Sequence, residues 1–267
     1  MKASSLNLLA CPTCHSSLEF AGESSTMIET GILGCINCGK TFPIQKGIPH
    51  FIEQASLSGL DRRFSKVYDV FSYFYKAFSR LAFVYIGMKE ETGRREVTDR
   101  LQPNGGKVLE VSIGPGINLP YLMDRPDVGE VIGLDISLGQ LKRCRSYTHS
   151  RGWQVDLCLG NAEELPFHDN MFEGVFHVGG INFFNDKGAA IREMVRVAKP
   201  GARILIADET EKGAQAYERA LPGFKRHFDK PREKIIPPAE LVPPEMQEVR
   251  LFDIWKGWMY CIEFKKP

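Results

Sequence analysis

The 267-residue sequence contains no uninterrupted apolar run near the roughly 20 residues that a membrane-spanning helix requires. Its first residues, MKASSLNLLACPTC, carry one lysine and a short apolar patch, which is a poor match to a secretory signal peptide. The sequence also lacks an excess of either charge, because its 34 basic and 33 acidic residues give a net charge of +1. These absences argue against a membrane span and against a global affinity for nucleic acid or anionic lipid. We predict a cytoplasmic protein.

Repeats and low-complexity tracts are missing, and seven cysteines without an export signal do not indicate a disulfide framework. Four of them form two C-x2-C pairs, Cys11/Cys14 and Cys35/Cys38, with twenty residues between the pairs. Four thiolates complete a closed tetrahedral zinc site, which leaves no position for water or substrate. The spacing predicts a small zinc-ribbon β module over residues 1–58, in which a structural Zn²⁺ supplies part of the folding free energy. The alternative is a β module whose thiols hold no metal.

Residues 62–88 repeat apolar and aromatic side chains at helical spacing, with polar residues on the opposite face. This pattern predicts either a helix that packs on the next domain or a lid over an apolar substrate. We assign residues 59–104 to a helical lid or linker. The apolar face leaves open a peripheral contact with a membrane through residues 64–88.

After residue 105, strand-like and helical segments alternate, which predicts an α/β domain over residues 105–267. The strand-like segments are KVLEVS, EVIGLDI, QVDLCL, FEGVFHV and ARILIAD. Such alternation is typical of a parallel sheet covered by helices on both faces. The segments EVRLFDIW and WMYCIEF, divided by Lys-Gly, predict an antiparallel hairpin that closes the sheet.

The first strand runs into the turn SIGPGINL, which lacks the features of two phosphate-binding loops. This turn contains no Gly-Lys-Ser/Thr, which excludes a P-loop here, and Leu119 takes the place of the third glycine of a dinucleotide fold. The turn instead predicts a backbone that approaches a nucleotide-like ligand without a phosphate. Glu110, Asp135 and the pair Asn161/Glu163 follow the first three strands, and open α/β sheets bind ligands at that edge.

Together these segments resemble the class I S-adenosylmethionine-dependent methyltransferases, in the branch of the ubiquinone and menaquinone C-methyltransferases. The motifs that carry the resemblance are VLEVSIGPG, GLDIS, GNAEELPF and REMVRVAKPGARILIAD, within residues 62–267. The resemblance implies a Rossmann-like seven-stranded sheet with S-adenosylmethionine at its edge. The residues that it places against the cofactor are Glu110, Ser112, Gly114, Gly116, Asp135, Ile136, Asn161, Ala162, Glu163 and His177.

Within that set the resemblance gives each group a part of the cofactor. Glu110 and the backbone near Gly114 would receive the amino-acid part, Asp135 the ribose, and Asn161 with Ala162 the adenine. Ser112 departs from the family, which usually has glycine there, so the affinity for cofactor is less defined than the fold. The first module resembles zinc ribbons fused to certain methyltransferases and the small zinc-binding activator subunits of tRNA and protein methyltransferases, through FPIQKGIP at residues 42–49.

The acceptor must be inferred from the segment after the fourth strand, FHVGGINFFND, which lacks the Asn/Asp-Pro-Pro-aromatic motif of many amine methyltransferases. Its polar candidates for catalysis are His177, whose ordinary pKa is near neutrality, and Asn182. Each has a structural alternative, because a strand-end histidine can bond to backbone and an asparagine can cap a loop. Phe183 and Phe184 are expected to form an apolar wall together with aromatic residues of 64–88.

Three functions follow from these patterns. The first is methyl transfer to an apolar or aromatic small molecule that is quinone-, phenol-, thiol- or lipid-like. The second is an rRNA or tRNA methyltransferase, which residues 1–50 argue against because they hold three basic and three acidic residues. The third is a non-catalytic module that binds the cofactor or recruits a partner, which Ser112 and the missing acceptor motif suggest.

Overall fold

The computed structural model describes residues 1–23, 25–53, 75–220 and 234–267. The strands are β1 (Leu18–Ala21), β2 (Thr30–Cys35), β3 (Thr41–Gln45), β4 (Ile48–Pro49), β5 (Lys107–Val111), β6 (Glu130–Asp135), β7 (Val155–Leu159), β8 (Phe172–Val178), β9 (Ala198–Glu209), β10 (Gln247–Ile254) and β11 (Met259–Lys265). The α-helices are α1 (Tyr75–Ile86), α2 (Glu90–Thr98), α3 (Pro120–Met123), α4 (Leu138–Arg151), α5 (Lys187–Val197) and α6 (Glu211–Ala220). Short 3₁₀ helices cover Ala3–Leu8, Ile181–Phe183, Ala239–Leu241 and Trp255–Gly257.

The larger sheet contains seven strands in the order β10-β11-β9-β8-β5-β6-β7. The five strands β5 to β9 run parallel, whereas β11 pairs antiparallel with both β9 and β10. β5 and β6 are almost wholly buried, as expected for strands covered on both faces. The predicted α/β class, the Rossmann-like sheet and its closing hairpin are therefore confirmed.

Helix boundaries follow local capping signals. Ser137 accepts a hydrogen bond from the Gln140 amide at the start of α4, and Gly152 ends that helix with a φ of 67°. Asp186 caps α5 by accepting a hydrogen bond from the Ala189 amide. The caps at Ser137 and Asp186 thus mark the ends of the loops that lead from β6 into α4 and from β8 into α5.

The predicted helix over residues 62–88 is only partly within the described residues. Its portion before residue 75 lies outside them, and α1 ends at Ile86, ahead of Gly87, which has a φ of 67°. Leu81, Val84 and Tyr85 on α1 are exposed. No helix in the described parts of the chain is both long and apolar enough to cross a bilayer.

The smaller sheet, with the strand order β1-β2-β3-β4, lies against β7. Two isolated bridges join the modules, one antiparallel between Leu9 and Phe167 and one parallel between His50 and Leu159. The amide of Phe51 also donates to the Leu159 carbonyl at 2.8 Å. The end of the zinc-ribbon module thereby continues the hydrogen bonding of the outermost strand of the larger sheet.

One apolar core spans both modules. Ile44 and Phe51 belong to the same buried cluster as Leu134 and Cys158 of the large sheet. A second cluster covers the opposite face of that sheet. The ribbon therefore shares its core with the larger domain and does not fold around a separate one.

Candidate functional site

The four predicted metal-binding cysteines lie together at one end of the small sheet. The sulfur atoms of Cys11, Cys14, Cys35 and Cys38 all lie within 4.8 Å of one another. The Cys11–Cys38 and Cys14–Cys35 sulfur distances are 3.6 and 3.5 Å. Four sulfurs at the usual Zn–S distance of about 2.3 Å in a tetrahedron are separated by roughly 3.8 Å, so this cluster fits Zn²⁺.

Local hydrogen bonds prepare one of these thiols for metal binding. The Ser16 side chain and backbone lower the pKa of Cys14 to about 6, whereas burial raises the pKa of Cys11 to about 11. A thiolate is the form of cysteine that binds metal. Cys14 is therefore already ionised near neutral pH, whereas Cys11 must lose a proton when the metal binds.

Asp135, at the end of β6, organises the edge of the large sheet at which the sequence predicts the cofactor. One carboxylate oxygen accepts from the Gly114 amide and the other from the Ser137 amide, each at 2.8 Å. These two bonds tie the turn after β5 to the start of α4. An ionised carboxylate accepts hydrogen bonds, so a side chain of this type at the end of β6 suits a ligand that carries hydroxyl groups.

The turn after β5 requires left-handed backbone at several positions. Ser112, Gly114 and Gly116 have φ angles of 60°, 56° and 76°. A Cβ at Gly114 would meet no atom within 4 Å, whereas at Gly116 it would lie 2.7 Å from a Leu119 methyl carbon and 2.9 Å from the Cys144 sulfur. Gly116 is thus required by packing, and Gly114 leaves open space at the turn.

Glu110 is the next-to-last residue of β5, just before the turn, and its side chain is 1% exposed. Its Oε1 accepts from the Asn118 side-chain amide at 2.7 Å, and its Oε2 has no hydrogen-bond partner among the described residues. Burial raises the pKa of Glu110 to about 8, although Asn118 and Arg94 act in the opposite direction. A buried carboxyl oxygen without a hydrogen-bond partner is costly, and a bound cationic or N–H group would both satisfy this oxygen and favour the ionised form of Glu110.

Arg94 of α2 extends this network and was not predicted from the sequence. Its Nη1 donates to Asn118 Oδ1 at 3.1 Å, and the residue is 4% exposed. The resulting series Arg94–Asn118–Glu110 places a guanidinium and a carboxylate on either side of one amide. Such a pair can receive both the carboxylate and the ammonium group of an amino acid.

The loop after β7 contains the residues expected near the adenine. Ala162 is buried, and Asn161 Oδ1 accepts from the Glu163 amide at 3.1 Å. Glu163 in turn accepts from the Asp186 amide at 2.9 Å. Ile136, after β6, is half-buried. These bonds order the loop at the same edge of the sheet as Asp135.

His177 lies at the end of β8 and is completely buried. Its Nδ1 bonds to the Val111 carbonyl at 3.0 Å, so Nδ1 carries the proton and donates it. Burial lowers the pKa of His177, although Asp208 opposes the shift, and the ring is therefore neutral near pH 7. Nε2 has no hydrogen-bond partner in the described parts of the chain, which leaves its lone pair available.

The second catalytic candidate, Asn182, is held on three sides. Its amide donates to Asp208 Oδ2 at 2.7 Å, its side-chain amide donates to the Glu209 carbonyl at 3.1 Å, and its Oδ1 accepts from the Tyr260 hydroxyl at 3.1 Å. This geometry fixes the loop between β8 and α5. It matches the loop-ordering alternative for Asn182.

A cavity of about 530 Å³ lies at the junction between the end of β9 and the start of α6, beside the turn between β10 and β11. The residues that line it are Thr210, Glu211, Lys212, Ile235, Pro237, Asp253, Lys256 and Gly257. This lining mixes charged and apolar side chains and includes neither Phe183 nor Phe184. Residues 64–74 of the expected aromatic wall lie outside the described residues, so the wall stays a prediction.

Comparison with known proteins assigns both modules. Residues 109–206 match the family described as methyltransferase domain, which includes the cofactor turn and the strands β5 to β9. Over those residues the chain is thus similar to methyltransferase domains. Residues 2–47 match the family described as Trm112p-like protein. The methyltransferase domain is therefore joined in one polypeptide to a Trm112p-like ribbon that contains the cysteine cluster.

Curated relatives of the methyltransferase domain include quinone-modifying enzymes. A demethylmenaquinone methyltransferase of Bacillus licheniformis is 34% identical over 149 residues, which are 55% of this chain and 63% of the relative. The ubiquinone/menaquinone biosynthesis C-methyltransferase UbiE of Burkholderia mallei is 31% identical over 134 residues, which are 50% of this chain and 52% of UbiE. The match thus spans less than two thirds of the length of these relatives.

Solved structures share the fold at low sequence identity. A chain from a complex that contains the Haloferax volcanii Trm112 methyltransferase activator aligns with a TM-score of 0.54 at 16% identity, over 72% of this chain and 96% of its own. A methyltransferase-like protein of Bacillus halodurans aligns with a TM-score of 0.53 at 18% identity, over 66% of this chain and 99% of its own. At these identities the likeness shows the fold alone.

Proposed function

We propose that this protein transfers the methyl group of S-adenosylmethionine to an apolar or aromatic small molecule of the quinone, phenol, thiol or lipid class. The observation that carries the proposal is the buried Glu110 carboxyl, which accepts from Asn118 through Oε1, while its Oε2 has no partner among the described residues; Asn118 in turn accepts from Arg94. A methyltransferase domain needs such a group to bind the ammonium of its cofactor. The quinone relatives supply the acceptor class.

The residues of this chain would act mainly by binding and orientation. Arg94 and Glu110 would hold the two charged ends of the cofactor's amino acid, and Asp135 would accept the ribose hydroxyls. Asn161, Ala162 and Glu163 would border the adenine. The cofactor supplies a methyl group on a positively charged sulfur, which a nucleophile attacks in line when the two are held together.

His177 is the group best suited to take a proton from the acceptor. Its neutral ring donates through Nδ1 to Val111 and leaves the Nε2 lone pair without a partner among the described residues. A phenol, thiol or enol that loses its proton to this nitrogen becomes the stronger nucleophile. Asn182 would position the loop that carries Phe183 and Phe184.

We also propose that the ribbon binds one structural Zn²⁺ through Cys11, Cys14, Cys35 and Cys38. The four sulfurs are already at separations that suit one ion. A closed four-sulfur site would take no direct part in methyl transfer. It would hold the first module in the shape that fits against β7.

Calorimetric titration with S-adenosylmethionine tests the cofactor site. We expect Asp135→Ala to weaken binding by about 1–3 kcal/mol, because the ribose hydroxyls lose a charged acceptor. Asp127→Ala is the matched control, since Asp127 pairs with Arg125 before β6 and lies outside the proposed site. Unchanged affinity in Asp135→Ala would place the cofactor elsewhere.

Transfer of a labelled methyl group tests the acceptor class. We expect label in short-chain demethylated quinones, phenols or thiols supplied in detergent, and none in ribosomal or transfer RNA. Labelling of RNA alone would overturn the proposed acceptor and favour the RNA hypothesis. Tight cofactor binding without transfer to any acceptor would favour the non-catalytic alternative.

A further inference from the structure

A strained turn joins β10 to β11. Trp255, Lys256 and Gly257 have consecutive φ angles of 49°, 56° and 79°. The left-handed region is unfavourable for residues with a Cβ, so two of the three positions must be held there by their surroundings. Strain of this kind concentrates where a protein needs a side chain in one particular place.

Four hydrogen bonds connect this turn to the helices α1 and α2. The Trp255 amide donates to Glu96 Oε2 at 3.2 Å, and the indole Nε1 donates to the Gly93 carbonyl at 2.7 Å. Lys256 Nζ donates to the carbonyls of residues 86 and 87 at 3.1 and 2.7 Å. The turn is therefore hydrogen-bonded to the junction at which α1 ends and α2 begins.

The indole ring of Trp255 lies against the guanidinium of Arg94. The Arg94 Cζ is 5.1 Å from the Trp255 ring centroid and 5.4 Å from that of Phe83, and the two rings are 4.6 Å apart. A Cβ at Gly93 would lie 2.3 Å from Phe83, so glycine is required for this approach. Trp255 is 7% exposed, and a buried cation over an aromatic face is well held.

Beyond the rings, Arg94 reaches the cofactor strand. Its Nη1 donates to Asn118, and Asn118 donates to Glu110 at 2.7 Å. One series of contacts thus runs from the indole of Trp255, which follows β10, to the carboxyl of Glu110 on β5. In the sheet, β11, β9 and β8 lie between β10 and β5.

We infer that Trp255 is a positioning residue for the amino-acid end of the cofactor, acting by holding Arg94 in place beside Asn118 and Glu110. This inference rests on the proposed function. A fixed guanidinium and a fixed carboxyl select ligands that carry both a carboxylate and an ammonium group. The adenosine half of the ligand would meet Asp135 and residues 161–163, which Trp255 does not contact in the described structure.

Two ligands separate this role from a general effect on folding. S-adenosylhomocysteine carries the amino-acid end, and 5′-methylthioadenosine lacks it. We expect Trp255→Leu to weaken S-adenosylhomocysteine binding about tenfold or more, from loss of the cation–π contact and of Arg94 order, with less than about a twofold change for 5′-methylthioadenosine. Trp255→Phe keeps an aromatic face and should restore most of the affinity.

Trp258→Leu is the matched control, because Trp258 follows the same turn and its ring contacts Tyr85 on α1. It should leave both affinities near those of the parent. In an Arg94→Gln background, Trp255→Leu should cause no further loss, since its effect acts through Arg94.

Equal losses for both ligands in Trp255→Leu would reduce Trp255 to a structural role and overturn the inference. Unchanged binding of both ligands would overturn it as well. A parent protein that binds neither ligand would overturn the proposed function itself, which distinguishes that failure from the other two.

Discussion

Ser112 is the residue at which this chain pays a conformational cost in its cofactor turn. Its φ of 60° lies in the left-handed region, where glycine is favoured and serine is not. The sequence showed that serine replaces the usual glycine of the family but could not show the dihedral angle. The structure explains why glycine is usual there, since the turn needs this backbone conformation.

We predict that Ser112→Gly raises the free energy of unfolding by about 0.5–1 kcal/mol, because relief of the left-handed strain exceeds the added entropy of glycine in the unfolded chain. Chemical denaturation monitored by circular dichroism measures the change. Asn104→Gly is the control, because Asn104 is exposed with a φ of 49° and asparagine tolerates this region. An equal gain in both variants would show that strain at Ser112 is not special.

Glu110 should make stability depend on pH. Its pKa rises from an ordinary 4.5 to about 8 on folding, chiefly through burial, so the folded state holds a proton that the unfolded state has lost. The contribution of Glu110 to the free energy of unfolding is therefore constant below about pH 4.5, decreases as the pH rises from there to about 8, and is constant again above that pH.

We predict that Glu110→Gln removes this dependence, because glutamine keeps the shape without ionising. The difference in unfolding free energy between variant and parent should grow by about 1–3 kcal/mol between about pH 5.5 and pH 7.5, in favour of the variant. Urea titrations at the two pH values measure it. Parallel pH profiles for variant and parent would show that Glu110 ionises freely in the folded protein.

At the scale of elements, backbone hydrogen bonds join the ribbon to the loop that follows β7. The Ala10 amide donates to the Pro166 carbonyl at 3.0 Å, and the His168 amide donates to Leu8 at 2.9 Å. The loop that carries Asn161 and Glu163 thus ends in backbone bonds to the first module. The sequence predicted the ribbon from its cysteine spacing, but spacing contains no information on which strand it docks against.

We predict that losing the metal weakens the whole protein and not the ribbon alone. Cys35→Ser should lower the bound zinc well below one per chain and reduce the free energy of unfolding by about 3 kcal/mol or more, since metal affinity contributes to folding. Cofactor affinity should fall with it. Elemental analysis, denaturation and titration measure the three effects.

Cys261→Ala is the comparison for that experiment, because Cys261 is a buried cysteine on β11, away from the cluster. It should retain zinc and cofactor affinity. If Cys35→Ser loses zinc but binds cofactor as the parent does, the ribbon and the cofactor loop are uncoupled despite their shared core.

At the scale of the whole molecule, hydrophobic periodicity and sequence motifs predicted the features that are formed by residues close together in the sequence. The parallel sheet, the closing hairpin and the residues at the strand ends follow from strand patterns and turn chemistry. The contact of Arg94 with Trp255 does not, because the two residues belong to different elements that lie far apart in the sequence. No pattern in the sequence predicts a guanidinium packed against two neighbouring aromatic rings.

The pairing of His50 with Leu159 joins two sheets that belong to a single polypeptide. A contact of this size between separate proteins would come apart as the proteins are diluted. Within one chain the local concentration of each surface is set by the connecting residues and does not depend on expression level. Each copy of the larger module is therefore made with its ribbon in a fixed one-to-one ratio, and cannot be left without one by an imbalance in synthesis.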